Sequence, residues 1–403
     1  MDVEKVMSLW AKNLVDHSLK RQFEKRNLNL EQKQILVQGE VSTEPLMIAL
    51  EEEITKVGAF PFIRPFFSNH SRRNIFAGLP ALEFGNEKQI NFIPNSYYNL
   101  YKEIDGFVTI MGTENPQLFE GHLNGLNKLK ESVSELDKIR TDESIWILTK
   151  YPTKAEAFFE DMSYEDYKNF LINSSIIDYA SMEKEQEVLT DFLTDTKEIF
   201  IKSYNPLENK LCELSMSKGN NFGINCFGLR NVPDGEVYTS PIANTVNGEI
   251  FLDIPIYNGI IISGVYLKFK GGKIIDYYAQ KGQDQLKNII ETDDGSKQLG
   301  EFALGTNYNV TRNLKEILFS EKIGGTIHLA IGASYDDPYP SLNADLTTNQ
   351  INLERNRLKG IGSYSDSVQH IDIPKDFRNP KKGEGLYLDG KELIWNGKTW
   401  DIN

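Results

Sequence analysis

The order of apolar runs predicts an α/β protein in two parts. The expected N-terminal domain, residues 1–204, holds a largely parallel sheet with flanking helices; the expected second domain, residues 205–403, is α+β. Three observations lead there. In the first part, short apolar runs alternate with helical patterns, the order that builds a parallel sheet covered on both faces. In the second, apolar–polar alternation and glycine turns take over, which signals antiparallel hairpins. With 403 residues and 40% hydrophobic content, the chain can fill large cores and exceeds the usual size of one domain.

The elements follow in order. Val3, Val6, Met7, Trp10 and Leu14 form one apolar stripe among Asp2, Glu4, Lys5, Lys12 and Asp16, which is an amphipathic helix rather than a signal peptide. Residues 34–37 read as a buried strand. Ser42 or Thr43 then caps a helix with Met47, Leu50, Ile54 and Val57 on one face, Gly58 stops it, and a strand runs over 60–64. Residues 106–111, 145–148 and 199–201 supply further strands of the same sheet, and Ser163 with Asp166 caps a helix through Tyr167, Phe170 and Leu171.

Beyond residue 205, the alternating run 265–270 turns at Gly271-Gly272 into 274–279. Residues 311–318 have a helical pattern. Residues 336–369, rich in Asn, Asp, Ser and Pro, read as one irregular loop, and a loop that long is more often functional than idle. Asp389-Gly390 and Asn396-Gly397 then punctuate a final meander through Leu386, Leu388, Ile394, Trp395 and Trp400.

Composition narrows the function. A net charge of -14 argues against a nucleic-acid partner, which calls for a basic face. The most apolar stretch, 254–267, is broken by Asn258, Gly259 and Gly264 and is too short to span a bilayer, so no membrane association is expected. Two cysteines, Cys212 and Cys226, imply no disulfide framework, and a cytoplasmic protein is the simplest reading.

No Gly-x-Ser-x-Gly elbow, His-Glu-x-x-His helix or phosphate-binding Gly-x-x-x-x-Gly-Lys loop occurs. Cys226 reads as a structural thiol rather than a nucleophile, and His17, His70 and His122 as surface or packing residues. Glu236, Glu301, His328, His370 and Asp372 differ, because all five fall in strand and glycine-turn segments of the second half. Alternation puts Ile327 and Leu329 on one face of a strand and His328 on the other, and His370 and Asp372 on the same side. Carboxylate and neutral imidazole suit Zn²⁺, Co²⁺ or Mn²⁺, and five such groups exceed the needs of one structural ion. Each alone has a bland reading: a lone strand histidine is usually a satisfied core residue, and a glutamate after glycine a cap or surface charge. From the residues alone, a two-metal site remains one alternative.

Longer stretches carry a resemblance. Pro233-Asp234-Gly235-Glu236-Val237-Tyr238-Thr239-Ser240-Pro241, Gly300-Glu301-Phe302-Ala303-Leu304-Gly305 and Glu321-Lys322-Ile323-Gly324-Gly325-Thr326-Ile327-His328-Leu329-Ala330-Ile331-Gly332 are similar to segments of the metallo-aminopeptidase family that includes aminopeptidases S, T and II. So are Asn225-Cys226, Arg230-Asn231, Val246-Asn247-Gly248, Glu316-Ile317-Leu318-Phe319 and Tyr151-Pro152-Thr153. The resemblance implies a hydrolase releasing N-terminal residues from peptides with a free amine, acting as a homodimer. It implies that Glu236, Glu301, His328, His370 and Asp372 ligate two divalent ions (Zn, Co or Mn), with Tyr335 beside them; our own choice for a carboxylate shared between the ions is Glu301, and for an oxyanion donor Tyr335. One residue departs: Ile371 stands where members usually have tryptophan, and Asp366 is the substitute ligand if the last strand is misassigned. Two other functions compete: an amidase or dipeptidase on the same scaffold, and a non-catalytic small-ligand-binding protein.

Overall fold

The computed structural model describes residues 3–68, 77–119, 122–343 and 346–403. The chain forms two compact units, Met1–Tyr179 with Gly228–Asp234, and Ala180–Phe227 with Gly235–Asn403. The division therefore precedes the expected residue 205. The reason is strand Glu198–Asn205, expected in the first sheet, which instead pairs antiparallel with Lys210–Ser217 and Gly385–Leu388 of the second unit.

The first unit is built on five parallel strands, in the order Phe60–Phe66, Gln34–Glu40, Gly106–Met111, Ile145–Lys150 and Asn231–Val232. The last of these belongs to the returning segment and fills the place expected for residues 199–201. Helices cover both faces, as a parallel sheet requires. Leu36 and Phe107 pack with Tyr101, Ile104, Leu136 and Ile139, and the helix Glu44–Lys56 contacts the strand Gln34–Glu40. The stops also match their chemistry. Gly58 takes φ +77° after that helix, and Ser163 accepts the backbone N–H of Asp166 at the start of Tyr164–Ser175.

The second unit contains a nine-stranded sheet and a five-stranded one. Lys273–Lys281 pairs with Ile260–Lys270 across Gly271-Gly272, and Gly385–Leu388, Lys391–Trp395 and Trp400–Ile402 form the expected meander. One core joins the two sheets: Ile199, Ile201, Leu214, Ile250 and Leu267 from the larger meet Val237, Phe302, Leu304, Ile327, Leu329 and Ile331 from the smaller. Each such side chain contributes about 1.5–3 kcal/mol on burial. The apolar faces hold the sheets together and leave the far face of the smaller sheet free for polar groups.

Two expectations for this unit are corrected. Only Ile317–Ser320 is helical within 311–318; before it, Leu314 exchanges hydrogen bonds with the Ser320 hydroxyl, and the Arg378 guanidinium donates to the Thr311 carbonyl. Side chains there take the backbone groups a helix would have used. Residues 336–369 are not one loop, because Thr348–Gly360 is a helix started by a Thr347/Gln350 capping box. No helix among the described residues is long and apolar enough to cross a membrane.

Candidate metal centre

Four adjacent antiparallel strands of the smaller sheet carry the expected residues, in the order His370–Asp376, Thr326–Gly332, Leu299–Gly305 and Glu236–Thr239. Register decides which side chains share a face. Glu236 lies opposite Gly305, Ala303 opposite Tyr238 and His328, Ala330 opposite Glu301 and Asp372, and His370 opposite Gly332. Paired residues point the same way and each strand alternates. Glu236, Tyr238, Glu301, His328, His370 and Asp372 therefore share the face away from the core. Ala303 and Ala330 occupy its middle with one methyl group each, which leaves room above them.

The glycines before the two glutamates have specific tasks. Gly235 takes φ +135°, and a Cβ there would lie 2.7 Å from Asn307 Cβ. At Gly300 a Cβ would lie 2.1 Å from the Ala333 carbonyl oxygen, at the point where the pairing register shifts just before Glu301. A side chain at either position would displace the glutamate that follows.

The candidate donor atoms converge. His328 Nε2 is 3.0 Å from Glu301 Oε1, 3.4 Å from Glu236 Oε2 and 3.8 Å from Asp372 Oδ1. His370 Nε2 is 3.3 Å from Asp372 Oδ1 and 3.8 Å from Glu301 Oε2. Two donor groups result, Glu236–Glu301–His328 and Glu301–His370–Asp372, each with its ligand atoms within 4.8 Å of one another. Glu301 belongs to both. His370 Nδ1 lies 2.8 Å from the Ala333 carbonyl, a donor contact that aims Nε2 inward, the usual support of a ligating imidazole.

Burial makes this cluster costly without a cation. Glu301 and His328 are almost fully buried. Glu236 Oε2, Asp372 Oδ1 and His328 Nδ1 are buried with no hydrogen-bond partner among the described residues. Burial also works against charged imidazoles, yet the Glu301 hydrogen bond and the charges of Asp372 and Glu236 push His328 up to about 9. His370 is pushed to about 10, burial again being outweighed by Asp372 and Glu301. Burial raises Glu301, against the opposing His328 hydrogen bond. Protons thus compensate the carboxylates here, and oxygen and imidazole donors with orphaned lone pairs fit divalent cations.

Tyr335 stands over the same face. Its ring centre is 4.7 Å from that of His370 and 5.9 Å from that of Tyr238. The residue is half exposed, but its hydroxyl end is surrounded by protein, and that burial, reinforced by the charges of Glu301, Asp372, Glu321 and Glu236, raises it above the ordinary tyrosine value, so it stays a protonated donor. Tyr238 directs its hydroxyl to Asp337 Oδ2 at 3.2 Å.

Two groups at this site carry no role in the sequence reading. Glu321 is raised to about 8 by burial, partly offset by Lys322, with Asp372, Glu236 and His328 as its other charged neighbours. Lys322 is 1% exposed and places Nζ 2.5 Å from Glu236 Oε1 and 3.0 Å from Glu321 Oε1. An adjacent Glu-Lys pair just before a Gly-Gly turn was the available signal. Asp366, the substitute ligand, pairs with Lys359 at 2.7 Å on the surface and does not join the cluster. Cys226 is half-buried opposite Glu236 on the neighbouring strand. His17 stacks on Tyr179, His122 precedes the helix Leu123–Ser132, and His70 lies outside the described residues.

Known proteins resemble this chain in sequence and fold. The sequence profile of the thermophilic metalloprotease family (M29) matches residues 7–374. The chain belongs to that family. Among its relatives, aminopeptidase 2 of Geobacillus stearothermophilus is 32% identical over 175 residues, 42% of this chain and 40% of that protein. Aminopeptidase AmpS of Bacillus subtilis (strain 168) is 33% identical over 177 residues, 43% of this chain and 40% of that protein. These alignments span about two-fifths of the relatives' length. The fold extends further: wild-type AmpT from Thermus thermophilus superposes with TM-score 0.73 at 15% identity, covering 99% of this chain and 97% of that one. A 2,5-dihydroxypyridine dioxygenase from Pseudomonas putida KT2440 shares the fold more loosely, with TM-score 0.54 at 13% identity over 99% of this M29 chain and 98% of that chain.

Proposed function

We propose that this M29 chain is a dinuclear metal-dependent aminopeptidase that releases N-terminal residues from peptides with a free amine. The observation that carries the reading is the pair of donor groups meeting at Glu301. Five ligands around one shared carboxylate exceed what a single ion needs. Glu236, Glu301, His328, His370 and Asp372 would hold the two ions, Zn, Co or Mn, and Glu321 is close enough to join them. What such ions supply is Lewis acidity and activation of water.

The chain's own groups complete the chemistry. Glu301 would be the carboxylate shared by the two positions. The Ala333 carbonyl orients the His370 imidazole. The protonated Tyr335 hydroxyl donates a hydrogen bond to the oxygen that becomes negative as the peptide carbonyl is attacked. The apolar core beneath the sheet keeps these groups from relaxing apart. The reading extends to a cytoplasmic homodimer, which light scattering of the purified protein tests.

Chelation is the direct test. A strong chelator should abolish hydrolysis of unblocked aminoacyl chromogenic substrates, and Zn²⁺, Co²⁺ or Mn²⁺ should restore it, with two metal equivalents by elemental analysis. Full activity in metal-free protein would refute the mechanism. Equal activity on N-blocked analogues would make the protein an amidase instead, and absence of metal would favour a non-catalytic binding role.

A further inference from the structure

The site contains one charge that metal binding does not use. Lys322 is among the largest fully buried side chains, and its ammonium contacts Glu236 and Glu321. Its backbone is tied down as well: its N–H donates to the Phe319 carbonyl, and its own carbonyl accepts from the Asn307 N–H. A buried ammonium held by two carboxylates and an anchored backbone is a fixed charge.

That charge is placed asymmetrically. His370 contacts Asp372 and Glu301, and Lys322 contacts Glu236 and Glu321. His328 lies between, reaching Glu236, Glu301 and Asp372. Imidazoles ligate in the neutral form, so around His370 the carboxylate charges of Glu301 and Asp372 face an incoming ion undiminished. Around Glu236 the ammonium, shared with Glu321, lies directly against a ligand carboxylate and repels an incoming cation there. It also occupies Oε1, leaving Oε2 as the open oxygen.

We propose that Lys322 makes the two metal positions unequal. The Glu301–His370–Asp372 position binds its ion tightly, and the Glu236–Glu301–His328 position beside the ammonium binds the second ion weakly. The protein would then pass through a one-metal state over a broad range of metal concentration. Lys322 is a positioning residue in this account, acting through Glu236. The inference rests on the dinuclear reading above and adds an order of loading to it.

Metal titration tests it without reference to activity. Apo-protein competes for Zn²⁺ with a chromophoric chelator of known affinity, alongside Lys322→Met, Lys322→Arg, Glu236→Gln and Asp372→Asn. Wild type should bind two ions in steps separated by at least about tenfold. Asp372→Asn should remove the tight step and Glu236→Gln the weak one. Lys322→Met should strengthen the weak step by about 10–100-fold, the scale on which groups touching metal ligands act. Lys322→Arg, which keeps the charge, should preserve the separation. Two equal steps in wild type, loss of the tight step in Glu236→Gln, or an unchanged separation in Lys322→Met would each overturn the proposal. Circular dichroism reports whether Lys322→Met is folded; if it is not, wild type and the two ligand variants still decide. Absence of any bound metal would instead overturn the dinuclear reading.

Discussion

Glu301→Gln should separate metal binding from folding. Glu301 is 3% exposed, with His328 Nε2 at 3.0 Å and His370 Nε2 at 3.8 Å, and it alone belongs to both donor groups. Glutamine preserves the volume and an acceptor oxygen but removes the charge, so both positions weaken together. Burial raises the Glu301 pKa, which means the folded chain disfavours its ionised form. A carboxyl raised in this way opposes folding once the pH exceeds its unfolded value. Neutral glutamine removes that opposition but also the hydrogen bond and charge that Glu301 lends to His328 and His370, so metal-free stability at pH 7 should change little. The contrast appears when metal is added. A ligand at a thousand times its Kd stabilises wild type by about 4 kcal/mol, and the variant should lose that increment. Hydrolysis should fall by at least about a hundredfold, the upper scale for changes even outside the ligand shell. Thermal unfolding with and without chelator, elemental analysis and turnover of an aminoacyl chromogenic substrate measure the three quantities. Near wild-type turnover with two metals bound would refute the shared role of Glu301, and a large loss of metal-free stability would show it to be structural.

Three further outcomes are expected. His370→Ala and Asp372→Ala should each remove about one metal equivalent, because both belong to a single donor group; elemental analysis of the purified variants checks this. Tyr335→Phe should lower kcat about a hundredfold to a thousandfold with little change in KM or metal content, the usual effect of losing an oxyanion donor, and steady-state kinetics would expose an unaltered kcat. The metal-free protein should lose stability as pH rises from about 6.5 to 10. His328 and His370 are raised to about 9 and about 10, so the stability they add is complete below their unfolded value near 6.5 and is lost through those folded values. Glu321, raised to about 8, acts in the same direction, and metal-loaded protein should show a flatter profile in denaturant titrations at several pH values.

The convergence of the candidate site residues was legible because strands alternate. His328 between Ile327 and Leu329, and His370 two residues before Asp372, allow only one arrangement when one face is buried, and the core contains Ile327, Leu329 and Ile373. Ile371, the departure from the family pattern, sits half-buried against that core while its neighbours keep their places. Residues 199–201 were misassigned because a short apolar run does not reveal whether its partner is parallel or antiparallel. Helix Thr348–Gly360 was hidden by its polarity, with Leu358 its one buried side chain, although Thr347 and Gln350 formed a readable capping box. Glu321 and Lys322 were illegible for another reason. They lie outside the strands, and only the turn before Thr326 brings them onto the face that alternation defines.

The shared scaffold shows where the chemistry is decided. At 13–15% identity, one fold serves AmpT of Thermus thermophilus and a 2,5-dihydroxypyridine dioxygenase. The scaffold therefore does not select the reaction. In this chain the core side of the smaller sheet is occupied by Val237, Phe302, Leu304, Ile327, Leu329 and Ile331, any of which would leave a cavity if truncated. The residues between them on the same strands face the other side of the sheet. Glu236, Glu301, His328 and Asp372 could be exchanged for other donors without disturbing how the two sheets meet. Because side chains alternate, packing and chemistry are specified on the same strands yet vary independently, and a metal centre can change its ligands while the fold persists.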